Sequence, residues 1–92
     1  MLDQMKMIAK MKKAQKDLAN EIIEVEAGDG AVLIRINGEQ KIKKVQLNAE
    51  LIDFDDIAEL ERWIEQAVKE AITKSQQVAA EKMKPLMGGL GF

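Results

Sequence analysis

Histidine, cysteine and tyrosine are absent from this chain of 92 residues, and serine and threonine each occur once. Histidine is the side chain that proteins use most often for general acid–base catalysis and for transition-metal binding. Without cysteine, the chain has neither disulfides nor thiolate ligands. An enzyme made from this sequence would have to rely on carboxylates, lysines, Ser75 or Thr73. We therefore expect a protein that is not an enzyme, with no catalytic residues, no metal site and no cofactor.

Long apolar segments are also missing. No apolar run approaches the roughly 18 residues that a membrane-spanning helix requires, and none follows the basic N-terminus as in a secretory signal. The content of 47% hydrophobic and 33% charged residues is typical of a soluble globular protein. We expect one domain over residues 1–85, a flexible glycine-rich tail over residues 86–92 and a cytoplasmic location, with no membrane partner and no small-molecule substrate.

Charge is distributed unevenly along the chain. Residues 1–19 contain five lysines and two aspartates, which gives +3, whereas residues 50–65 contain seven acids and one arginine, which gives −6. A basic helix on a small sheet can grip a polyanion. The net charge of −2 and the isoelectric point of about 5.2 oppose a uniformly basic protein that coats DNA. DNA binding would therefore require segregated surface charge.

The first segment, from about Leu2 to Ile23, is predicted to be a helix because it lacks glycine and proline and is rich in good helix formers. Its apolar residues fit a heptad frame, which predicts a packing stripe. The stripe is widened by Met5, Met7 and Ala14, and the two rows of the frame are Met1, Ile8, Gln15, Ile22 and Gln4, Met11, Leu18, Val25. The methionines of the stripe favour a dimer core over a peptide-binding groove. Four lysines fall on the opposite face and are expected to stay in water: Lys6, Lys10, Lys13 and Lys16.

The middle of the chain alternates between apolar and polar residues, which is the pattern of β-strands. Gly28-Asp29-Gly30 marks a turn. The alternation over residues 23–27 is typical of a short strand, although the end of the first helix competes for the same residues and the pattern leaves that boundary open. Residues 31–36 form the next predicted strand.

Asn37-Gly38 predicts a hairpin with a type I′ turn, in which both central residues have positive φ. The return strand is expected at about residues 40–47, with Val45 and Leu47 on the core face. Three lysines on this strand either protect a sheet edge from aggregation or add to a field that attracts DNA: Lys41, Lys43 and Lys44.

The last helix is expected to begin at Asp53, which is a good N-cap, and to run to about Met83 before it stops at Pro85. The acidic cluster at residues 53–56 resembles half of a cation site, but capping explains it better because no suitably spaced ligand loop follows. Trp63 is interpreted as a packing anchor rather than a platform for stacking bases, since the chain has only three aromatic residues.

These elements predict an α+β fold of the order α-β-β-β-α, with a small antiparallel sheet and two long helices. Such a chain cannot bury every apolar stripe within one copy. A homodimer would cover the remainder.

The ordered set of motifs resembles the YbaB/EbfC family of bacterial nucleoid-associated proteins. The matching stretches extend over nearly the whole chain. They are Met11-Lys12-Lys13-Ala14-Gln15-Lys16, Gly28-Asp29-Gly30-Ala31-Val32, Ile36-Asn37-Gly38, Leu60-Glu61, Ala67-Val68, Ala71, Glu81-Lys82-Met83 and Leu86-Met87-Gly88-Gly89-Leu90.

The resemblance implies an intertwined homodimer with protruding helical arms, which binds double-stranded DNA with low sequence specificity and acts in the nucleoid, with effects on gene expression. It places the DNA-binding surface on the first and last helices. On this sequence the implied residues are Lys6, Lys10, Lys13 and Lys16, with Lys74, Lys82 and Lys84 as weaker candidates.

The alternative is a non-enzymatic module for protein–protein interaction. In that hypothesis the amphipathic helices bind a partner, and the acidic segment 50–65 faces a basic protein. The net charge of −2 favours this alternative.

Overall fold

The computed structural model describes residues 2–88 and confirms the α-β-β-β-α order of an α+β fold. Three antiparallel strands form one sheet in the order β1-β2-β3. A single 3-10 turn, Ala49–Leu51, separates the sheet from the last helix. The elements are α1 (Leu2–Asn20), β1 (Ile22–Ala27), β2 (Val32–Asn37), β3 (Ile42–Leu47) and α2 (Ile57–Gly88).

The core lies between α2 and the sheet. The central strand β2 turns Val32, Ile34 and Ile36 toward the helix, and all three are fully buried. On α2, Ala67 and Ala71 face these side chains, and their small size lets the helix approach the sheet closely. The period-2 pattern of residues 31–36 therefore identified the core face of β2 correctly.

The turn between β1 and β2 fixes one end of the sheet. Gly28, Asp29 and Gly30 all have positive φ, at 63°, 55° and 98°. A Cβ on Gly28 would lie 2.5 Å from Cδ2 of Trp63, so the indole ring packs directly on this glycine. Trp63 is thus confirmed as a packing anchor.

The turn between β2 and β3 differs from the prediction. Neither Asn37 nor Gly38 has positive φ, so a type I′ turn at these residues is wrong. Residues 38–41 connect the strands, and Gln40 adopts the left-handed conformation with φ of 61°. Gly38 instead allows α1 to approach this turn closely, because a Cβ at position 38 would lie 2.7 Å from Cδ2 of Leu18.

Both ends of α2 also differ from the prediction. Asp56, not Asp53, caps the helix, since its Oδ1 accepts a hydrogen bond from the amide of Glu59 at 3.1 Å. Asp53 instead closes the preceding turn by accepting from the amide of Asp55 at 2.9 Å. At the other end, Pro85 lies inside the helix, which continues to Gly88. Pro85 cannot donate a hydrogen bond to the carbonyl of Glu81 and its ring crowds that carbonyl, but proline φ remains compatible with helical geometry.

The end of α2 bears on the expected boundary between the domain and the C-terminal tail. Residues 86–88 of the expected flexible tail belong to α2, and residues 89–92 lie outside the described part of the chain.

The two helices extend past the end of the sheet. Ser75 of α2 contacts the turn between β2 and β3, so residues 76–88 continue about 20 Å beyond it. α1 packs beside this extension, and Asp17 lies 3.6 Å from the ammonium of Lys82. We call α1 together with residues 76–88 the helical arm. The described residues span 63 × 21 × 14 Å, which reflects this projection.

Only part of the predicted heptad stripe is packed. Ala14 and Leu18 are buried, and Met7 is partly buried. Ile8 and Met5 are 53% and 68% exposed, although the sequence pattern placed them in the stripe. The helix therefore uses a narrower contact face toward α2 than the heptad frame predicts.

The prediction that Val45 and Leu47 lie in the core is wrong for the single chain. They pair with Ile34 and Val32, so they stand on the α2 side of the sheet. However, α2 packs on β1 and β2, whereas every residue of β3 is exposed. The helix is simply too narrow to cover the third strand.

Candidate nucleic-acid interface

A buried polar junction joins the helical arm to the sheet. Ser75 is fully buried, and its hydroxyl donates to the carbonyl of Asn37 at 2.6 Å and accepts from the amide of Gln40 at 3.1 Å. The side chain of Asn37 donates to the carbonyl of Ala19 at 3.2 Å. We call Asn37, Gln40 and Ser75 the polar junction.

The junction also satisfies the C-terminal end of α1. A helix leaves its last carbonyls without intrahelical partners. Here the amide of Gly38 donates to the carbonyl of Leu18 at 2.8 Å, and Asn37 reaches the carbonyl of Ala19. The direction of α1 is therefore set by the hairpin rather than by a glycine cap. The Asn-Gly pair and the lone serine were visible in the sequence, but their contact with each other was not.

The four lysines that the sequence placed on α1 are all exposed. They recur every three or four residues and so share one side of the helix. This side is distinct from the one that Ala14 and Leu18 bury. The expected lysine face, which is confirmed as an exposed surface, consists of Lys6, Lys10, Lys13 and Lys16.

The weaker candidates on α2 have different surroundings. Lys74 lies 3.1 Å from a carboxylate oxygen of Glu70, and Lys82 lies 3.6 Å from Asp17. Lys84 is exposed near the end of the helix. Nearby carboxylates partly neutralise the first two lysines, so they contribute less to an attractive field than the lysines of α1.

Charge is segregated along the long axis of the molecule. The helical arm carries seven lysines and three acids, which gives +4. Residues 48–61 carry six acids and no cation, which gives −6, and they precede and begin α2 at the opposite end from the arm. The overall charge of −2 therefore conceals a basic projection.

The acidic end has structural roles. Asp53 and Asp56 accept the turn and capping hydrogen bonds, and the side chain of Asn48 caps the 3-10 turn. Within residues 2–88, no three acidic side chains gather into a group that could hold a metal ion. Neither helix in this part of the chain contains an apolar stretch of the length that a transmembrane span requires.

The fold and the charge layout define a small α+β protein with a basic helical arm. A family model described as the YbaB/EbfC DNA-binding family matches residues 1–90. The chain therefore belongs to this family.

This chain is similar to curated relatives and to solved structures, of which three examples follow. A nucleoid-associated protein of Chloroflexus aurantiacus is 39% identical over 80 residues, covering 87% of this chain and 80% of the relative. A nucleoid-associated protein of Ruminiclostridium cellulolyticum is 42% identical over 86 residues, covering 94% and 75%. The crystal structure of an uncharacterized Helicobacter pylori protein matches with a TM-score of 0.71 at 16% identity, covering 95% and 87%. That likeness supports the fold alone.

Proposed function

We propose that this chain is a non-enzymatic, nucleoid-associated protein that binds double-stranded DNA with low sequence specificity through the helical arms of a homodimer. Its site of action is the bacterial nucleoid, within the cytoplasm, where binding influences gene expression. The observation that carries the proposal is the net charge of +4 on a projecting arm of a chain whose total charge is −2.

The lysine face of α1 suits the phosphate backbone. α1 has 19 residues and is about 28 Å long. A duplex lying along it presents one phosphate charge per about 1.7 Å of axis, so each of the four lysines can reach a phosphate. Lysine is a point charge without the fork geometry of arginine that reads guanine, so the contacts position the duplex without selecting a sequence.

The exposed apolar residues of β3 support the homodimer. Ile42, Val45 and Leu47 are each about half exposed, on the face of the sheet that α2 covers elsewhere. Further exposed apolar residues follow in the chain before and at the start of α2. These are Leu51, Phe54 and Ile57. A patch of this kind marks an interaction surface, and a second copy would cover it while leaving both arms free.

DNA binding is tested by fluorescence anisotropy of a labelled random duplex across a salt series. The double variant Lys10→Glu/Lys13→Glu is expected to weaken binding to all sequences and to make the salt slope shallower by about 1.8, because two phosphate contacts are lost. The matched control is Arg62→Glu/Lys69→Glu, which makes the same change in net charge on exposed positions away from the arm.

The outcomes separate the hypotheses. Equal slopes for a folded Lys10→Glu/Lys13→Glu variant and the wild type would remove α1 from the interface. If the wild type fails to bind DNA even at low salt, the DNA-binding proposal is wrong for this chain. The protein-interaction module would then be pursued with nuclease-treated pull-downs.

The homodimer is tested by sedimentation velocity. Val45→Glu is expected to shift the protein to a monomer, because it places a charge in the apolar patch. Gln46→Glu is the matched control, since Gln46 pairs with Leu33 on the other face of the same strand. A monomeric wild type, or a Val45→Glu variant that stays dimeric, would contradict this interface.

A further inference from the structure

A second group of exposed cations lies on the edge strand of the sheet rather than on a helix. Lys41, Lys43 and Lys44 occupy the start of the return strand, and all three are exposed. Glu39 is the one acid among residues 37–47, so this hairpin segment carries +2. We call these three residues the β3 lysine strip.

A register shift in the sheet separates the strip from the apolar patch. Ile36 pairs with Ile42 and Arg35 pairs with Lys44, so Lys43 is the extra residue of a bulge. In a regular strand, Ile42 and Val45 would point to opposite faces because they are three residues apart. The bulge brings both to the α2 side and leaves Lys44 opposite Arg35 on the open face of the sheet.

Within the described part of the chain, carboxylates pair with several other cations but not with the strip. Arg35, Lys69, Lys74 and Lys82 each have a carboxylate oxygen at between 2.7 and 3.6 Å. Among residues 2–88, no carboxylate lies within 4.0 Å of an ammonium group of the β3 lysine strip. Like the lysine face of α1, the strip therefore keeps its charge available to an external anion.

The strip begins where the helical arm joins the sheet. Asn37 accepts a hydrogen bond from the amide of Lys41 at 3.0 Å and donates to Ala19 at the end of α1. The polar junction thus holds the strip and the arm in a fixed relation. Alternate residues of an extended chain are about 6.6 Å apart, so the strip passes several phosphates of an adjacent duplex. β3 is also an edge strand, and its outward amides can donate to phosphate oxygens.

We propose that the β3 lysine strip is a second phosphate-binding surface, which extends the contact with double-stranded DNA from the helical arm onto the sheet. This inference rests on the proposed function and adds residues that lie on neither helix. The competing role for these lysines is protection of the sheet edge against self-association.

The test compares salt slopes of duplex binding. Lys43→Gln/Lys44→Gln is expected to make the slope shallower by about 1.8, since each lost phosphate contact contributes about 0.9. The matched control Arg62→Gln/Lys69→Gln removes two exposed cations from α2 and is expected to keep the wild-type slope. Lys43→Arg/Lys44→Arg retains both charges and is expected to keep the wild-type slope. This variant distinguishes an effect of lost charge from an effect of impaired folding.

The failure of this inference differs from the failure of the proposed function. If the wild type binds and Lys43→Gln/Lys44→Gln has the wild-type slope, the strip is not a phosphate surface and the arm proposal stands. If that variant keeps its slope but self-associates in sedimentation, the lysines protect the edge and the inference is overturned. Loss of binding by the wild type itself would instead refute the proposed function.

Discussion

Replacing Ser75 by alanine tests whether the polar junction holds the arm to the sheet. The hydroxyl is fully buried and bonds to the carbonyl of Asn37 at 2.6 Å. It also accepts from the backbone amide of Gln40 at 3.1 Å and from the side-chain amide of that residue at 3.2 Å. Alanine keeps the volume nearly unchanged, so the substitution removes hydrogen bonds without opening a large cavity.

The expected cost follows from the groups left behind. A buried donor or acceptor that loses its partner costs about 1–3 kcal/mol of folding free energy. Asn37 and Gln40 retain one weak mutual bond, in which the Gln40 amide donates at 3.3 Å. The higher helix propensity of alanine offsets up to about 0.5 kcal/mol of this loss in folding free energy. We therefore expect Ser75→Ala to lower the free energy of unfolding by about 1–2 kcal/mol.

The assay is urea unfolding at a fixed protein concentration, because the stability of the proposed dimer would depend on concentration. Thr73→Ala is the matched control, since it removes an exposed hydroxyl from the same helix. Hydrogen exchange adds a local readout: the amide of Gly38, which bonds to Leu18, should exchange faster in Ser75→Ala. A change below about 0.5 kcal/mol, with unaltered exchange at Gly38, would refute the role assigned to the junction.

Three further predictions concern packing and charge. Gly38→Ala places a Cβ 2.7 Å from Cδ2 of Leu18, so it should destabilise the fold by about 1–3 kcal/mol in urea unfolding; wild-type stability would contradict this close approach. Trp63→Ala should cost about 3 kcal/mol, measured by circular dichroism because it removes the single tryptophan; a loss below 1 kcal/mol would show that the indole is not an anchor. The hydrogen bond from Lys69, at 2.7 Å, and its charge lower the pKa of Glu65 below its ordinary value of 4.5, and Lys69→Gln should raise that pKa toward 4.5 in an NMR titration. Since the folded-state pKa is lowered, the ion pair favours folding above the unfolded-state pKa and loses that effect as pH falls through the lowered value; an unchanged Glu65 titration in Lys69→Gln would refute the pairing.

Local chemistry explains which elements could be predicted. The alternation of Val32, Ile34 and Ile36 identified the core face of β2 because strand periodicity depends only on neighbouring residues. The helices were also predictable, since their composition favours helix throughout. The ends of the helices were less predictable. Asp53 and Asp56 can both cap a helix, and the turn that precedes α2 decides which of them does so.

In the candidate site, too, some features could be predicted from the sequence and others could not. The exposed lysines of α1 could be identified from spacing alone, because a helix that buries Ala14 and Leu18 must present its other side to water. The neutralisation of Lys82 by Asp17 could not, since those residues are 65 positions apart and meet only when α1 packs on α2.

The sequence by itself determined the identity and order of the elements, the polarity of β2 and the uneven distribution of charge, because each depends on residues close together in the chain. Only the tertiary structure decided which faces of the helices are packed and that α2 leaves β3 uncovered. The bulge at Lys43 depends on pairing with Arg35 and Ile36, and the polar junction depends on Ser75 reaching a turn 38 residues earlier. Contacts between distant residues carry no local periodicity, so they become visible only when the chain is folded.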